Sequence, residues 1–272
     1  MKVHPDNPNL LQFSILNNEG GVEHFCTTRE GGVSKGEFSS FNLGNFSDDD
    51  PMDIYENRQI LARMWYMEDK DFIVPHQTHG TEVLLIDDEF QQLDSSSKIN
   101  ALYGIDATIT NMKNIFLCVT SADCVPILIY DKKKELIAAV HAGWRGLVQG
   151  ILENTIDKMK SIFQADSSDF IVTIGPSISL KNYEVGEDVV SKLLMMNIDF
   201  THSSLLNTKT NKRHIDLNQI THDKLVKLGV PSHQIEKTDL CTYDNDKLFF
   251  SARRQSTHCG RMLSGIKLVG RK

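Results

Sequence analysis

A chain of 272 residues, 40% of them hydrophobic, is long enough to bury a sizeable core, as one large domain or two intimate halves. Its net charge of −7, with no basic stripe to offset it, sets nucleic acid aside as a partner. No apolar run approaches the roughly twenty residues of a membrane span, the opening MKVHPDNPNL lacks a secretory apolar core, and five scattered cysteines fit a reducing cytoplasm rather than a disulfide framework.

In chain order, LLQFSIL and VEHFCTT read as two strands around the turn NNEGG. REGGVSKGEF is a glycine-rich loop, long enough to be functional, although a plain flexible excursion is the commoner meaning of such composition. DDDPMDIYENRQILARMW predicts a helix with Asp50 as N-cap, Pro51 in the first turn and Asp53 near the positive end. Tyr55, Leu61, Met64 and Trp65 supply its core face. FIVP and TEVLLID are strands around the turn HQTHG, and the polar stretch from Asp87 to Gly104 reads as a surface loop. GIDATITN and NIFLCVT are strands, with Cys118 a small core residue in the second. VPILIYD and LIAAV form an antiparallel pair across a charged turn, and KKK at 132–134 is a solvated part of that turn. LVQGILENTIDKMKSIF keeps a helical period through Leu147, Ile151, Ile156, Met159 and Ile162. DFIVTIGPSI is a strand ending in a Gly-Pro turn, and NYEVGEDVVSKLLMM places Tyr183 and Glu184 in a loop before a helix. HIDLNQITHDKLVKLGV is a helix with Asp216 as N-cap, Gly229 as its stop and Pro231 beyond. Alternating short strands and helices predict an α/β fold.

The chemistry gathers between Ser121 and Gly146. Cys124 precedes the first strand of the antiparallel pair and His141 follows the second, so both finish on one edge of the sheet. Either His76 or His79 adds a third donor. Three N/S ligands leave the fourth tetrahedral position open, as in a catalytic zinc site. Any one of these residues alone is more simply a loop histidine or a buried cysteine; three on strand-end loops shift the reading to a metal. His79 takes the ligand slot, and His76 is expected to point elsewhere and support the site. Asp106 and Asp123 each end a strand facing this centre, and Asp123 is read as orienting a ligand or Arg145. Arg145 stands at a helix start, where the dipole favours anions, and is read as facing an anion held there.

HQTHGTEV, DATITN, TSADCVPILIYD, AAVHAGWRG and FFSARRQSTHCGRM, together with TTREGGVSKGEFSSFNLG and IGPSIS-YEVG, resemble in collinear order the YfiH-type family. These are the laccase-domain or polyphenol-oxidase-like proteins, and the likeness runs from Cys26 to Leu268. The resemblance implies one domain over residues 1–272, an α/β/β/α sandwich with mixed sheets. It implies that Asn42 of FNLG and Arg58 of the Asn-Arg step line the site. It also implies purine nucleoside phosphorylase chemistry on adenosine, inosine, guanosine and methylthioadenosine with phosphate, and adenosine deaminase activity. The chain departs from the family after the Gly-Pro element, where Ser179, Leu180 and Lys181 replace the usual cysteines; those cysteines are then dispensable for the metal.

Under that reading Arg58 and Arg145, with the helix start at Gly146, hold phosphate, and Asp123, Arg145, Arg58 and Asn42 make up the catalytic set. Deamination follows the zinc-deaminase strategy of water activated against purine C6 with help from a carboxylate. A copper-dependent polyphenol oxidase is the alternative, because His79, Cys124 and His141 meet the minimum for a blue-copper centre and copper outcompetes zinc for such ligands. Multi-copper clusters, however, are fed by His-x-His pairs, and none of the ten histidines forms one. Copper loaded in vitro would then give adventitious oxidase activity. A cysteine hydrolase with Cys124 as nucleophile and His141 as base is a further alternative, weakened by the second histidine, since a metal-bound thiolate is a poor nucleophile. A mere binding module would not need Asn42, Arg58, Asp123 and Arg145 together.

Overall fold

The computed structural model describes residues 1–196 and 198–270. The buried strands assemble into two six-stranded mixed sheets. The first runs in the order Lys2–His4, Asn7–Gln12, Val22–Thr27, Met262–Leu268, Phe116–Ser121, Phe72–Ile73. The second runs Ile235–Lys237, Phe170–Ile174, Val125–Asp131, Leu136–Ala142, Ile105–Thr110, Glu82–Leu85. Its four inner strands pair antiparallel, and the strand at each edge is added parallel. Every residue of Val125–Asp131 and Leu136–Ala142 is buried, which is why both read as continuous apolar runs rather than as alternating ones.

Alternation along those two strands feeds two cores. Leu128, Tyr130, Ile137 and Ala139 meet Leu117, Val119 and Ile266 of the first sheet. The intervening Ile127, Ile129, Ala138 and Val140 turn outward onto Ile151, Leu152, Ile156 and Met159 of the helix Ile151–Phe163. On the far side the helix Pro51–Met64 sets Leu61 and Ala62 against Phe25, Phe72 and Phe116. The layers are therefore α/β/β/α, as the resemblance implied. A small sheet of Glu184–Val185, Lys212–Ile215 and Ser204–Asn207 is added beside them. Among the described residues no helix is long and apolar enough to cross a membrane.

Capping chemistry set the helix starts where the sequence placed them. The Asp50 carboxylate accepts from the Met52 amide at 2.9 Å, and Asp216 does the same for Gln219 at 3.0 Å. Several expectations change, among them Glu184, which with Val185 forms a short strand rather than a loop. LLQFSIL is divided, since its strand ends at Gln12 and Ser14–Asn17 is a helical turn. The polar stretch 87–104 holds two short helices, Asp88–Gln92 and Ser95–Ala101, capped by Asp87 and Asp94; without an apolar period they looked like loop. The helix over 147–163 is two helices, Trp144–Gln149 and Ile151–Phe163, broken at Gly150, whose φ of 99° lies in the left-handed region that glycine tolerates. Tyr55 and Ile162 face solvent; Ile54 takes the core position on the first of these helices.

The connections matter most for function. HQTHG does not close a hairpin, because Phe72–Ile73 belongs to the first sheet and Glu82–Leu85 to the second. The connection from Phe116–Ser121 to Val125–Asp131 crosses between the sheets in the same way. Phe72–Ile73 and Phe116–Ser121 are parallel neighbours, so both crossings leave the first sheet at one end.

Candidate active site

The register of the central pair sets Pro126 opposite His141 and Val125 opposite Ala142. Cys124, one residue earlier, therefore lies beside the end of the partner strand, and the HQTHG crossing delivers His79 to the same corner. The ligand atoms of His79, Cys124 and His141 all lie within 4.8 Å of one another. The two imidazoles meet edge-on, with centroids 4.9 Å apart. Behind them Gly143 leaves the necessary room, since a Cβ there would stand 2.9 Å from His79 Cδ2 and 3.0 Å from Cys124 Sγ.

Asp106 organises this corner. Its fully buried carboxylate accepts from the amides of Thr78, His79 and Gly80 at 3.1, 3.0 and 2.7 Å. The same group lies 2.7 Å from His141 Nδ1. It thus holds the crossing in place, including His79 at a positive φ of 62°. It also accepts the Nδ1–H bond of His141, which turns Nε2 towards the cluster as the ligand atom. Burial alone would raise the Asp106 carboxyl, but His141 and the amides outweigh it and hold it below the usual carboxylate range. Burial would likewise raise the Cys124 thiol, yet His141 and then His79 draw it down to about 6. His141, which burial would lower, is raised to about 9 by Cys124 and Asp106. The corner offers a thiolate between two imidazoles, a donor set suited to a soft or borderline divalent cation.

The cluster opens into a cavity of about 430 Å³. His76 lies in its wall, outside the cluster, with its ring flat against Phe46 at 3.7 Å. Tyr183 enters from the small sheet's edge, and burial, then the Cys124 thiolate, pushes its phenol well above the ordinary value. Arg253 and Arg261 also line the cavity. Arg253 donates to the Glu184 carbonyl at 2.9 Å, and Arg261 donates to the carbonyls of Cys259 and Thr257 at 2.5 and 3.1 Å. Among the described residues neither has a carboxylate within ion-pairing distance. Sequence reasoning missed both as site residues. Arg253 lies in a single helical turn, Ala252–Gln255, and Arg261 in irregular backbone just before the last strand, both too short for a period to mark the inward side, and only their place in the block FFSARRQSTHCGRM drew attention to them. A larger cavity of about 560 Å³, beside Leu205, Leu206 and Leu240, contains none of the three donors.

The remaining nominated residues fall in unexpected places. Asp123 lines the cavity, but its carboxylate orients neither a ligand nor Arg145. Its oxygens accept from Thr242 Oγ1 and from the Arg253 amide, both at 2.6 Å, so it pins the C-terminal segment while Asp106 does the orienting. Arg145 is exposed, with its guanidinium 4.5 Å over the ring of Trp144, and lies outside the cavity lining. Arg58 is buried in an ion pair with Asp69 at 2.5 Å and reaches Asn45 Oδ1 at 3.4 Å. Asn42 is buried beneath the same loop, donating to Ser47 and Asp49 and accepting from the amides of Gly44 and Arg261. Neither Asn42 nor Arg58 reaches the cavity; both hold segments that do.

Several known proteins are similar to this chain over nearly its whole length. The chain is 39% identical over 259 residues to a purine nucleoside phosphorylase of Bacteroides thetaiotaomicron, covering 95% of this chain and 96% of that one. It is 35% identical over 247 residues to an adenosine deaminase from an unknown prokaryotic organism, covering 90% and 94%. Among solved structures it is similar to the hypothetical protein YfiH of Bacillus licheniformis, with a TM-score of 0.89, 30% identity and coverage of 97% and 98%. YlmD of Geobacillus stearothermophilus gives a TM-score of 0.84 at 30% identity, covering 93% of each chain. A family model described as multi-copper polyphenol oxidoreductase laccase matches residues 23–269, and the chain belongs to that family, the YfiH-type laccase-domain proteins.

Proposed function

We propose that this chain cleaves purine nucleosides with phosphate to free base and ribose 1-phosphate, and deaminates adenosine, at a zinc held by His79, Cys124 and His141. Adenosine, inosine, guanosine and methylthioadenosine are the substrates we assign. The observation that carries the reading is the pairing of a thiolate–imidazole donor corner with two arginines, free of acidic partners, across one cavity. The names of the two curated relatives support it. Zinc in that corner supplies Lewis acidity on one side of the cavity.

The chain's own groups then divide the work. Asp106 accepts the His141 Nδ1–H bond and so fixes the ring. Arg253 and Arg261 face the phosphate with charged donors, and Arg145, outside the lining, adds positive charge felt as far as Tyr183. Asp123, the one carboxylate in the described lining, is our acid/base for deamination, each oxygen keeping a lone pair beside the bond it already accepts. Five free cysteines suit a reducing compartment, and we place the enzyme in the cytoplasm.

The oxidase reading is less well supported. Among the described residues one three-donor cluster is present, where multi-copper chemistry needs several centres. The Cys124–His141 contact favours a second reading, a cysteine hydrolase, since a lowered thiol beside a histidine is also an activated nucleophile. His79 beside the same sulfur weighs for the metal.

One experiment separates these. Zinc-loaded protein given inosine should release hypoxanthine only with phosphate, with ribose 1-phosphate in equal amount, and should lose that activity on chelation. Adenosine should yield ammonia without phosphate. Base release without phosphate would mean a hydrolase; activity that survives chelation but dies on thiol alkylation would mean a Cys124 nucleophile. Phenol oxidation dependent on added copper, with no nucleoside turnover, would restore the oxidase.

A further inference from the structure

Phe46 is a large apolar side chain left 56% exposed at the cavity lip, in a segment with neither helix nor strand. Exposure alone means little, because single exposed apolar side chains are ordinary. Its setting is not ordinary. The Phe46 ring lies flat on His76, with centroids 3.7 Å apart and planes inclined by 9°. Tyr103 meets His76 edge-on at 4.8 Å. The His76 backbone is itself fixed, donating to Leu102 and accepting from Gly104, both at 2.9 Å.

The loop carrying Phe46 is clamped from beneath. Asn42 Oδ1 accepts from the amides of Gly44 and Arg261 at 3.0 and 2.9 Å. Asn42 Nδ2 donates to Ser47 Oγ and Asp49 Oδ2 at 2.8 and 2.9 Å. Ser47 Oγ donates back to the Gly44 carbonyl at 2.8 Å, and Arg58 reaches Asn45. A fully buried asparagine and a nearly buried arginine are thus committed to holding a short irregular segment whose apolar ring projects at the cavity. A ring fixed parallel to a second ring, with its outer face open, is preorganised to stack a third planar group.

We infer that Phe46 is the platform on which the purine ring stacks, backed by His76 and positioned by Asn42 and Arg58. This rests on the nucleoside reading above. It adds a reason for breadth of substrate: every purine presents a π face, so stacking tolerates changes at the ring edge that hydrogen-bond readout would reject. Adenine, hypoxanthine and guanine differ at that edge and share the face.

The test compares a ligand that has a base with one that lacks it. Zinc-loaded wild type, Phe46→Ala and Phe46→Tyr would be titrated by calorimetry with inosine in the absence of phosphate, and separately with ribose 1-phosphate. Loss of one aromatic–base stack should weaken inosine roughly 5- to 100-fold in Phe46→Ala, with ribose 1-phosphate affinity and zinc content unchanged and most of the loss restored in Phe46→Tyr. In turnover the inosine KM should rise while kcat and the phosphate KM hold. Unchanged inosine affinity in Phe46→Ala overturns the platform, and so does an equal loss of both ligands, which would make Phe46 a prop for the loop. A wild type that binds neither ligand overturns the nucleoside reading itself, and the platform with it.

Discussion

The donor corner of the cavity and the rest of its wall are built by different means. His141 is the penultimate residue of a strand buried along its whole length, Cys124 immediately precedes another, and Asp106 ties the third donor's crossing to a strand of the same sheet. The remaining wall, with Phe46, Arg253 and Arg261, is loop and a single helical turn, Ala252–Gln255, held by side chains reaching main-chain groups, such as Asn42 to Gly44 and Asp123 to Arg253. The difference follows from what each side must do. Metal ligands tolerate errors of only a few tenths of an ångström, which strands deliver; substrate recognition gains from loops that can be exchanged without disturbing the sheet.

The sharpest way to break the comparison is at Asp106. Asp106→Ala leaves three backbone amides and His141 Nδ1 without their buried acceptor. At about 1–3 kcal/mol for the buried His141 group and less for the part-buried amides, which water can reach, the fold should lose about 2 kcal/mol or more. Asp106→Asn should cost less stability but lower zinc affinity about 10- to 100-fold, because the His141 tautomer is no longer fixed. Denaturant titration and chelator competition read the two effects; wild-type stability in Asp106→Ala would remove the keystone role.

The scaffold also carries an acid weakness remote from the cluster. His24 Nε2 accepts the Phe13 amide at 2.7 Å, and burial lowers the His24 pKa to about 4. The folded state keeps this ring neutral while the unfolded chain protonates it near 6.5, so its contribution is complete above pH 6.5 and falls as pH drops towards 4. The loss reaches about 3 kcal/mol at 1.36 kcal/mol per pKa unit. His24→Gln should flatten that part of the stability–pH curve, and a wild-type curve no steeper than the variant's between pH 6.5 and 4.5 would reject the assignment.

Gly143→Ala acts next, and on the cluster alone. The backbone at Gly143, φ −74° and ψ 166°, suits alanine, so the added methyl harms only through its approach to His79 and Cys124. Zinc affinity should fall about tenfold or more; unchanged affinity by chelator competition would mean that the donors shift freely and the corner is not rigid.

What could be read from the sequence divides along the same line. Cys124 and His141 were legible because two apolar runs around a short turn fix which strand ends coincide. The crossing of HQTHG between sheets was not, since Phe72–Ile73 is too short to declare its sheet. Asp106 and Asp123 looked equivalent as strand-end acids; their partners, His141 and Arg253, lie 35 and 130 residues away and set them apart only after folding. The α/β class followed from alternation, whereas the pairing of layers came from the resemblance. Asn42 and Arg58 were nominated as lining residues and instead hold the loop beneath Phe46, a distinction that a motif does not contain.

The smallest expected effect tests where the wall ends. Arg253→Ala removes the guanidinium from the cavity but leaves the main-chain bond to Asp123, so the segment stays pinned. Losing a charge-assisted contact of about 1.5–3 kcal/mol should raise the phosphate KM roughly 10- to 100-fold. Arg145, exposed and lying over Trp144, offers only a screened charge. Arg145→Ala should raise that KM less than about fivefold, equivalent to under about 1 kcal/mol, and the difference should vanish in about 0.5 M salt. Phosphate titrations of both variants at low and high salt decide between them. If Arg145→Ala proves the more damaging and its effect persists in salt, the anion sits at the Trp144 helix start, where the sequence first placed it, and the recognition wall must be redrawn to include that strand-supported corner.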